Sequence, residues 1–327
     1  MLFASRASAM ETNRRLPILS CLFAILGGCN GRGSVASDDV GVDTLPADLG
    51  SVASDERPGA APPGNWIQVK NGTFVMGSPD DEPCRALNEA QQQVTLTHDL
   101  EVQTTEVTWQ QFKDVMGYTL MSTDECGPDC PVNNVTWSEA AAYCNALSRL
   151  SGRAECYGCT DPGSAPALIS CREPFGYDGD LYTCDGYRLP TAAESEYLAR
   201  AGTNSAYPGG ANDPLACECD PLDVNLDPVA WYCGNSSGAR HPVGKKLANA
   251  WGIHDLLGNV AEWCNDGYET ASPEVPVQDP TGPMGASLRG GSYASKARDV
   301  RPARHAVWLA SSRSDEVGFR CIRVLPK

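Results

Sequence analysis

The chain has 327 residues, 42% hydrophobic and 20% charged, enough for one large fold with extensions or at most two domains. Asp and Glu (41) outnumber Lys and Arg (25), and the net charge of -16 argues against nucleic acid and anionic lipid surfaces as partners. Fifteen cysteines point to a disulfide-bearing extracytoplasmic protein, and the four histidines, His98, His241, His254 and His305, have no i, i+4 spacing for a three-histidine metal site.

Arg6, Arg14 and Arg15 precede an apolar run over 16–28, of signal-peptide length and too short to span a bilayer. The run ends Leu26-Gly-Gly-Cys29, which resembles the lipobox of bacterial lipoproteins. That resemblance implies cleavage before Cys29, a lipid on its sulfur and anchorage in the cell envelope. Asn30 replaces the aspartate that marks inner-membrane retention, so the outer membrane is expected. Residues 29–63 read as a flexible tether: they hold no aromatic residue, and Gly-Ser-Val-Ala-Ser-Asp occurs at 33–38 and again at 50–55.

Folded sequence begins at residue 64. Trp66-Ile-Gln-Val-Lys and Gly72-Thr-Phe-Val-Met-Gly77 read as short strands around an Asn71-Gly72 turn, and 94–97 as a further strand. Thr108 caps a predicted helix over 109–116. Ser138 is the expected cap of the strongest helix, on which Ala140, Tyr143, Ala146, Leu147 and Leu150 recur at helical spacing, and Thr191 caps a third over 192–201. Beyond 201 the pattern is short strands and Gly-rich turns, so the fold class is α+β with little regular secondary structure.

Eight motifs occur in order: Phe74-Val-Met-Gly77, Thr105-Glu-Val-Thr108, Pro131-Val-Asn-Asn-Val-Thr-Trp137, Gly186-Tyr-Arg-Leu-Pro-Thr191, Asn249-Ala-Trp-Gly252, Gly258-Asn-Val-Ala-Glu-Trp263, Arg289-Gly-Gly-Ser292 and Gly318-Phe-Arg-Cys321. Together they resemble the formylglycine-generating enzyme family, also called the sulfatase-modifying factor family, over about 64–325. The resemblance implies a compact, loop-rich, C-type-lectin-like fold with bound calcium. It also implies copper-dependent oxidation of a sulfatase cysteine by dioxygen.

The copper chemistry needs two thiolates, and matching the motifs puts Ser295 and Val300 at the family's two cysteine positions. A hydroxyl and a hydrocarbon do not hold Cu(I). Ala261 replaces the tryptophan of the family's GNVWEW, and Ala192 and Ser195 replace Glu and Trp in the motif around 188–200. Copper is therefore not expected, and the sequence reads as a pseudoenzyme: a non-catalytic binding or accessory scaffold for an unidentified envelope protein or glycan. The alternative is an oxidoreductase of the formylglycine-generating type, or another chemistry in the same cleft. The resemblance implies calcium ligands Asp255, Gly258, Val260 and Glu262, hard oxygen donors suited to Ca²⁺. Arg188, Arg289, Arg304 and Arg320 read either as an anion-binding cleft or as buried guanidinium groups serving loop carbonyls; Trp137 and Trp263 read as core.

Cys21 leaves with the signal peptide and Cys29 takes the lipid, so 15 − 2 = 13 cysteines remain, an odd number that leaves at least one thiol without an intrachain partner. A Cys-rich insertion over 152–186 holds Cys156, Cys159, Cys171 and Cys184, read as two disulfides in preference to a zinc site begun by the C-x-x-C pair. Cys126 and Cys130 close a small loop. The family resemblance implies one more disulfide, between Cys144 and Cys321.

Overall fold

The computed structural model describes residues 61–120, 126–160, 169–172, 181–267, 275–282 and 286–327. The expected signal peptide (1–28), Cys29 and all but the end of the tether lie outside the described residues.

Strands β1 (Trp66–Val69) and β2 (Gly72–Met76) flank the Asn71-Gly72 step, as expected, but they do not form a hairpin. β2 pairs antiparallel with β3 (Gln92–Leu96), whereas β1 pairs antiparallel with β4 (Leu100–Gln103). Asp99, in the connection between β3 and β4, explains the split. Its Oδ1 accepts the backbone N–H and the side-chain amide of Asn71, both at 2.9 Å, and its Oδ2 accepts from Lys70 at 2.7 Å. The two connections are tied to each other, so the strands on either side diverge into different sheets.

Helix α1 (Trp109–Met116) starts at Thr108 in a reciprocal capping box with Gln111 and stops at Gly117, whose φ of 73° suits glycine. Helix α2 (Trp137–Leu150) corrects the expected cap: Thr136, not Ser138, accepts the N–H of Glu139. Ser138 lies within the first turn, and its hydroxyl accepts the Cys171 N–H at 3.2 Å, docking the insertion onto the helix. Within that insertion β5 (Gly158–Cys159) pairs with β6 (Cys171–Arg172), and the bonds Cys156–Cys184 and Cys159–Cys171 hold it. Helix α3 (Ala192–Arg200) is capped by Thr191 with Glu194, as the sequence predicts, and ends one residue early at left-handed Ala201.

The rest of the chain adds β7 (Ala261–Trp263), β8 (Val277–Gln278), β9 (Ala286–Arg289), β10 (His305–Trp308), β11 (Val317–Gly318) and β12 (Ile322–Val324). Their sheets run β1-β4-β12, β2-β3-β8 and β10-β9-β7-β11. Among the described residues, three α-helices set among short strands make the loop-rich α+β fold that the sequence predicts. One apolar cluster lies around α3, β3 and β4. Another joins α1 and α2, where Phe112, Tyr143 and Phe319 pack at ring separations of 5.2 to 6.4 Å.

Ion pairs run through this interior. Arg188 pairs with Glu194, Arg200 and Arg289 with Glu196, Arg301 with Glu82 and Glu89, and Arg320 with Glu262. Arg188, Arg289 and Arg320 are thus buried and bound to carboxylates and carbonyls, and the anion-cleft reading fails for these three. Trp137 and Trp263 are core, as expected.

Among the described residues five disulfides are formed. Besides the two in the insertion they are Cys126–Cys130, as expected, and Cys84–Cys217 and Cys219–Cys233, which join loops. Cys144 and Cys321, the pair that the resemblance implies, meet in the interior. Their sulfurs lie 3.0 Å apart in the core, about 1 Å more than the covalent S–S length of about 2.05 Å.

Candidate functional site

The four-stranded sheet and the turn after β9 enclose a cavity of about 290 Å³. The turn is Arg289-Gly290-Gly291-Ser292, and its geometry demands glycine: φ is 83° at Gly290 and 65° at Gly291. A Cβ on Gly291 would also stand 2.8 Å from the Asp299 carbonyl. This tight approach aims Ser292 and Ser295 at the parallel pair of β11 with β7, which carries Glu316 in beside Ala261.

The Ser292 hydroxyl donates to Glu316 Oε2 at 2.5 Å, and Ser295 Oγ accepts the Ser292 N–H at 2.9 Å. Arg304 lines the cavity with its Nε 3.1 Å from Asp299 Oδ1. His305 forms part of the wall; burial and nearby Arg289 push its pKa down to about 3, so the ring is neutral, and its Nε2 lies 2.8 Å from the Asn88 amide. Ala261 lines the cavity as well.

Of the two copper positions, Ser295 lines the cavity and Val300 lies buried in the core cluster around α3. Among the described residues the cysteines outside disulfides, Cys144, Cys264 and Cys321, are all buried, and none lines the cavity. Burial raises the Cys264 thiol to about 12, against the thiolate form that a soft metal requires. Glu316 and the cavity wall residue Trp308 were not singled out from the sequence. The available signal was the position of Glu316, directly before Val317-Gly-Phe-Arg320.

A second polar centre lies beneath the Gly258-Asn-Val-Ala-Glu-Trp263 segment. Both Glu262 oxygens accept from Arg320, at 2.6 to 2.9 Å. Asp255, held at φ 56°, accepts the Gly244 N–H through Oδ2, while its Oδ1 is buried without a partner. Glu106, from the Thr105-Glu-Val-Thr108 motif, lies against Asp255 with both oxygens buried and unpartnered. Burial first, then the charges of Asp255 and Glu262, raises the Glu106 carboxyl well above its ordinary range; burial raises Asp255 too. Gly258 stands in the same segment at φ 77°, its N–H bound to the Gly290 carbonyl, and Val260 is buried. Among the described residues no three His, Cys, Asp or Glu side chains are spaced as a metal-ligand group. Three carboxylates nonetheless face one guanidinium, and three carboxylate oxygens are unmet, a donor set that suits a hard cation.

Residues 53–325 match the sulfatase-modifying factor enzyme 1-like domain, and the chain belongs to that family. It is 29% identical over 239 residues to the chaperone protein LppX of Paenibacillus barcinonensis, covering 67% of this chain and 78% of that one. It is 28% identical over 193 residues to the formylglycine-generating enzyme of Mycobacterium tuberculosis, covering 46% of this chain and 62% of the enzyme. Among solved structures, Treponema denticola variable protein 1 superposes with a TM-score of 0.61 at 26% identity, over 79% of this chain and 94% of that one.

Proposed function

We propose that this protein is a lipid-anchored, extracytoplasmic member of its family that binds rather than oxidises: a non-catalytic binding or accessory module at the outer membrane of a bacterial envelope. One observation carries the reading. At the positions matched to the family's copper cysteines stand Ser295, in the cavity with Ser292 and Glu316, and Val300, buried in the core. Hydroxyl and carboxylate oxygens are hard donors, and without a thiolate pair Cu(I) has no soft ligands there. The resemblance to the chaperone protein LppX supports the accessory role, and the disulfides support an oxidising compartment. The expected partner is a protein or glycan of the envelope. The test is mass spectrometry of a sulfatase-type cysteine peptide incubated with the protein, copper and dioxygen: its cysteine is expected unchanged, and conversion to formylglycine overturns the reading.

Anchorage rests on Cys29 and the apolar run before it. Cys29→Ser is expected to release the protein from membranes or leave an uncleaved precursor. A variant that is processed and fractionates like the wild type removes the anchor.

Calcium is proposed at the second polar centre. Asp255 and Glu106 would supply carboxylate oxygens and Gly258 and Val260 carbonyls, with Glu262 oriented by Arg320. The support is the unmet oxygens of Glu106 and Asp255. A cation bound only by the folded state stabilises it by mass action, so chelation is expected to lower the melting temperature and millimolar calcium to restore it. Asp255→Asn is expected to abolish that dependence. Superimposable melting curves of the wild type with chelator and with calcium would falsify the proposal.

A further inference from the structure

Glu316 carries the cavity's unbalanced charge. Ser292, itself 1% exposed, fixes the carboxylate by donating its hydroxyl to Oε2, and this leaves the negative charge in place. The nearby bases are engaged elsewhere: Arg304 with Asp299 at 3.1 Å, and Arg313 with Glu139 at 2.7 Å. His305 is neutral, so the lining sums to one negative charge from Glu316 once the Asp299–Arg304 pair cancels. Asp315, the preceding residue, adds a second carboxylate, which accepts the Tyr293 hydroxyl at 3.2 Å.

The lining also holds an aromatic side chain. Trp308, a residue 38% exposed, lines the cavity at the end of β10, an edge strand, with its ring set edge-on to that of Trp263 at 6.4 Å. An indole and a carboxylate lining one small cavity are the two groups that recognise an organic cation, one through its π electrons and the other through its charge. An anion would meet Glu316 at once. An oligosaccharide needs more room than this, since small-molecule sites run from about 300 to 1,000 Å³ and the cavity lies at the bottom of that range.

We infer that the cavity takes a single cationic nitrogen group on an aliphatic stem, a primary ammonium or a guanidinium, with Glu316 accepting its N–H donors, Ser295 beside it and Trp308 against the stem. The inference rests on the binding-module reading and names the ligand chemistry of that site. Two sources share this chemistry, a free amine and a basic side chain of a partner protein. Val307 and Leu309, 66% and 76% exposed on and just beyond β10, offer apolar contacts to the residues around such a side chain.

Calorimetric titration of the full chain tests it with four probes: cadaverine, Nα-acetyl-lysine methylamide, the blocked tripeptide valyl-lysyl-valine, and Nα-acetyl-norleucine methylamide as the uncharged isostere. Saturable binding of at least one cationic probe is expected, weakening as salt rises, with none for norleucine. Glu316→Gln keeps the shape, removes the charge and is expected to weaken binding by about tenfold or more, as for the loss of a hydrogen bond to a charged group. Trp308→Ala, at a half-exposed position, is expected to weaken it as well, and melting curves establish that both variants are folded. Tighter binding of the diamine identifies a free amine as the source, and tighter binding of the tripeptide a partner's side chain. No binding of any cationic probe, equal binding of the norleucine analogue, or unchanged affinity in folded Glu316→Gln overturns the inference. Binding of N-acetylglucosamine in place of the cations would remove the cation and leave the binding module standing. Conversion of a cysteine peptide would remove the non-catalytic reading and leave a measured cation affinity intact.

Discussion

Arg188→Met is expected to destabilise the protein by about 3–5 kcal/mol, the range for removing one partner of a buried ion pair. Both members are fully buried: Nη1 and Nη2 of Arg188 each donate to a different oxygen of Glu194 at 2.7 Å. Nη1 also reaches the Leu189 carbonyl, and the guanidinium lies 5.3 Å from the centre of the Tyr182 ring. Methionine fills much of the volume but leaves the Glu194 carboxylate in the interior with only the Thr191 N–H. That contact is half of the α3 capping box, so the loss reaches the helix start as well. For a domain of this size the melting temperature should fall by roughly 10 °C. Adding Glu194→Gln keeps an acceptor for the cap and removes the stranded charge, so the double variant should recover much of the loss. A single variant that melts within experimental error of the wild type would refute this account of the interior.

The same pair explains why the core was only half legible. Helical periodicity and threonine caps are local signals, and α1 and α3 start where the sequence places them. Ser138 was a false cap because Thr136 offers the same hydroxyl two residues earlier, with Glu139 correctly spaced to complete the box. The Asn71-Gly72 step reads as a turn between two strands, yet the strands pair with different partners, and Asp99, distant in sequence, ties the two connections together. The motifs named the family and placed Ser295 at the cavity, because they keep their order along the chain. They did not reveal Glu316 as a cavity group, since only the parallel register Val317 to Ala261 brings it beside Ser292. Nor did they reveal Glu106 as the neighbour of Asp255: a carboxylate flanked by Thr105 and Val107 looks solvated until the fold buries it. Cys84–Cys217 was likewise hidden, because cysteine spacing does not determine connectivity.

Oxidation of Cys144 and Cys321 to a disulfide is expected to be the largest stabilising covalent event in the mature protein. The sulfurs already stand 3.0 Å apart in the core, with α2 holding one and the start of the final strand segment the other. Closing the bond needs an approach of about 1 Å, against a covalent length of about 2.05 Å. The residues are 177 apart in sequence. For a loop of that size the chain-entropy model gives an upper value of roughly 5 kcal/mol, because the crosslink restricts the unfolded chain far more than the folded one. The cysteine arithmetic agrees. Ten of the thirteen cysteines after Cys29 lie in five disulfides, and pairing these two leaves Cys264 alone. Cys264 suits that place, since burial raises its thiol to about 12 and makes it a poor nucleophile for disulfide exchange. Peptide mapping of the protein denatured without reductant should therefore find Cys144 and Cys321 linked and a single alkylated cysteine, Cys264. Alkylation of Cys144 or Cys321 under those conditions would show that the pair stays reduced, and the stability assigned to the bond would then have to come from packing around two thiols.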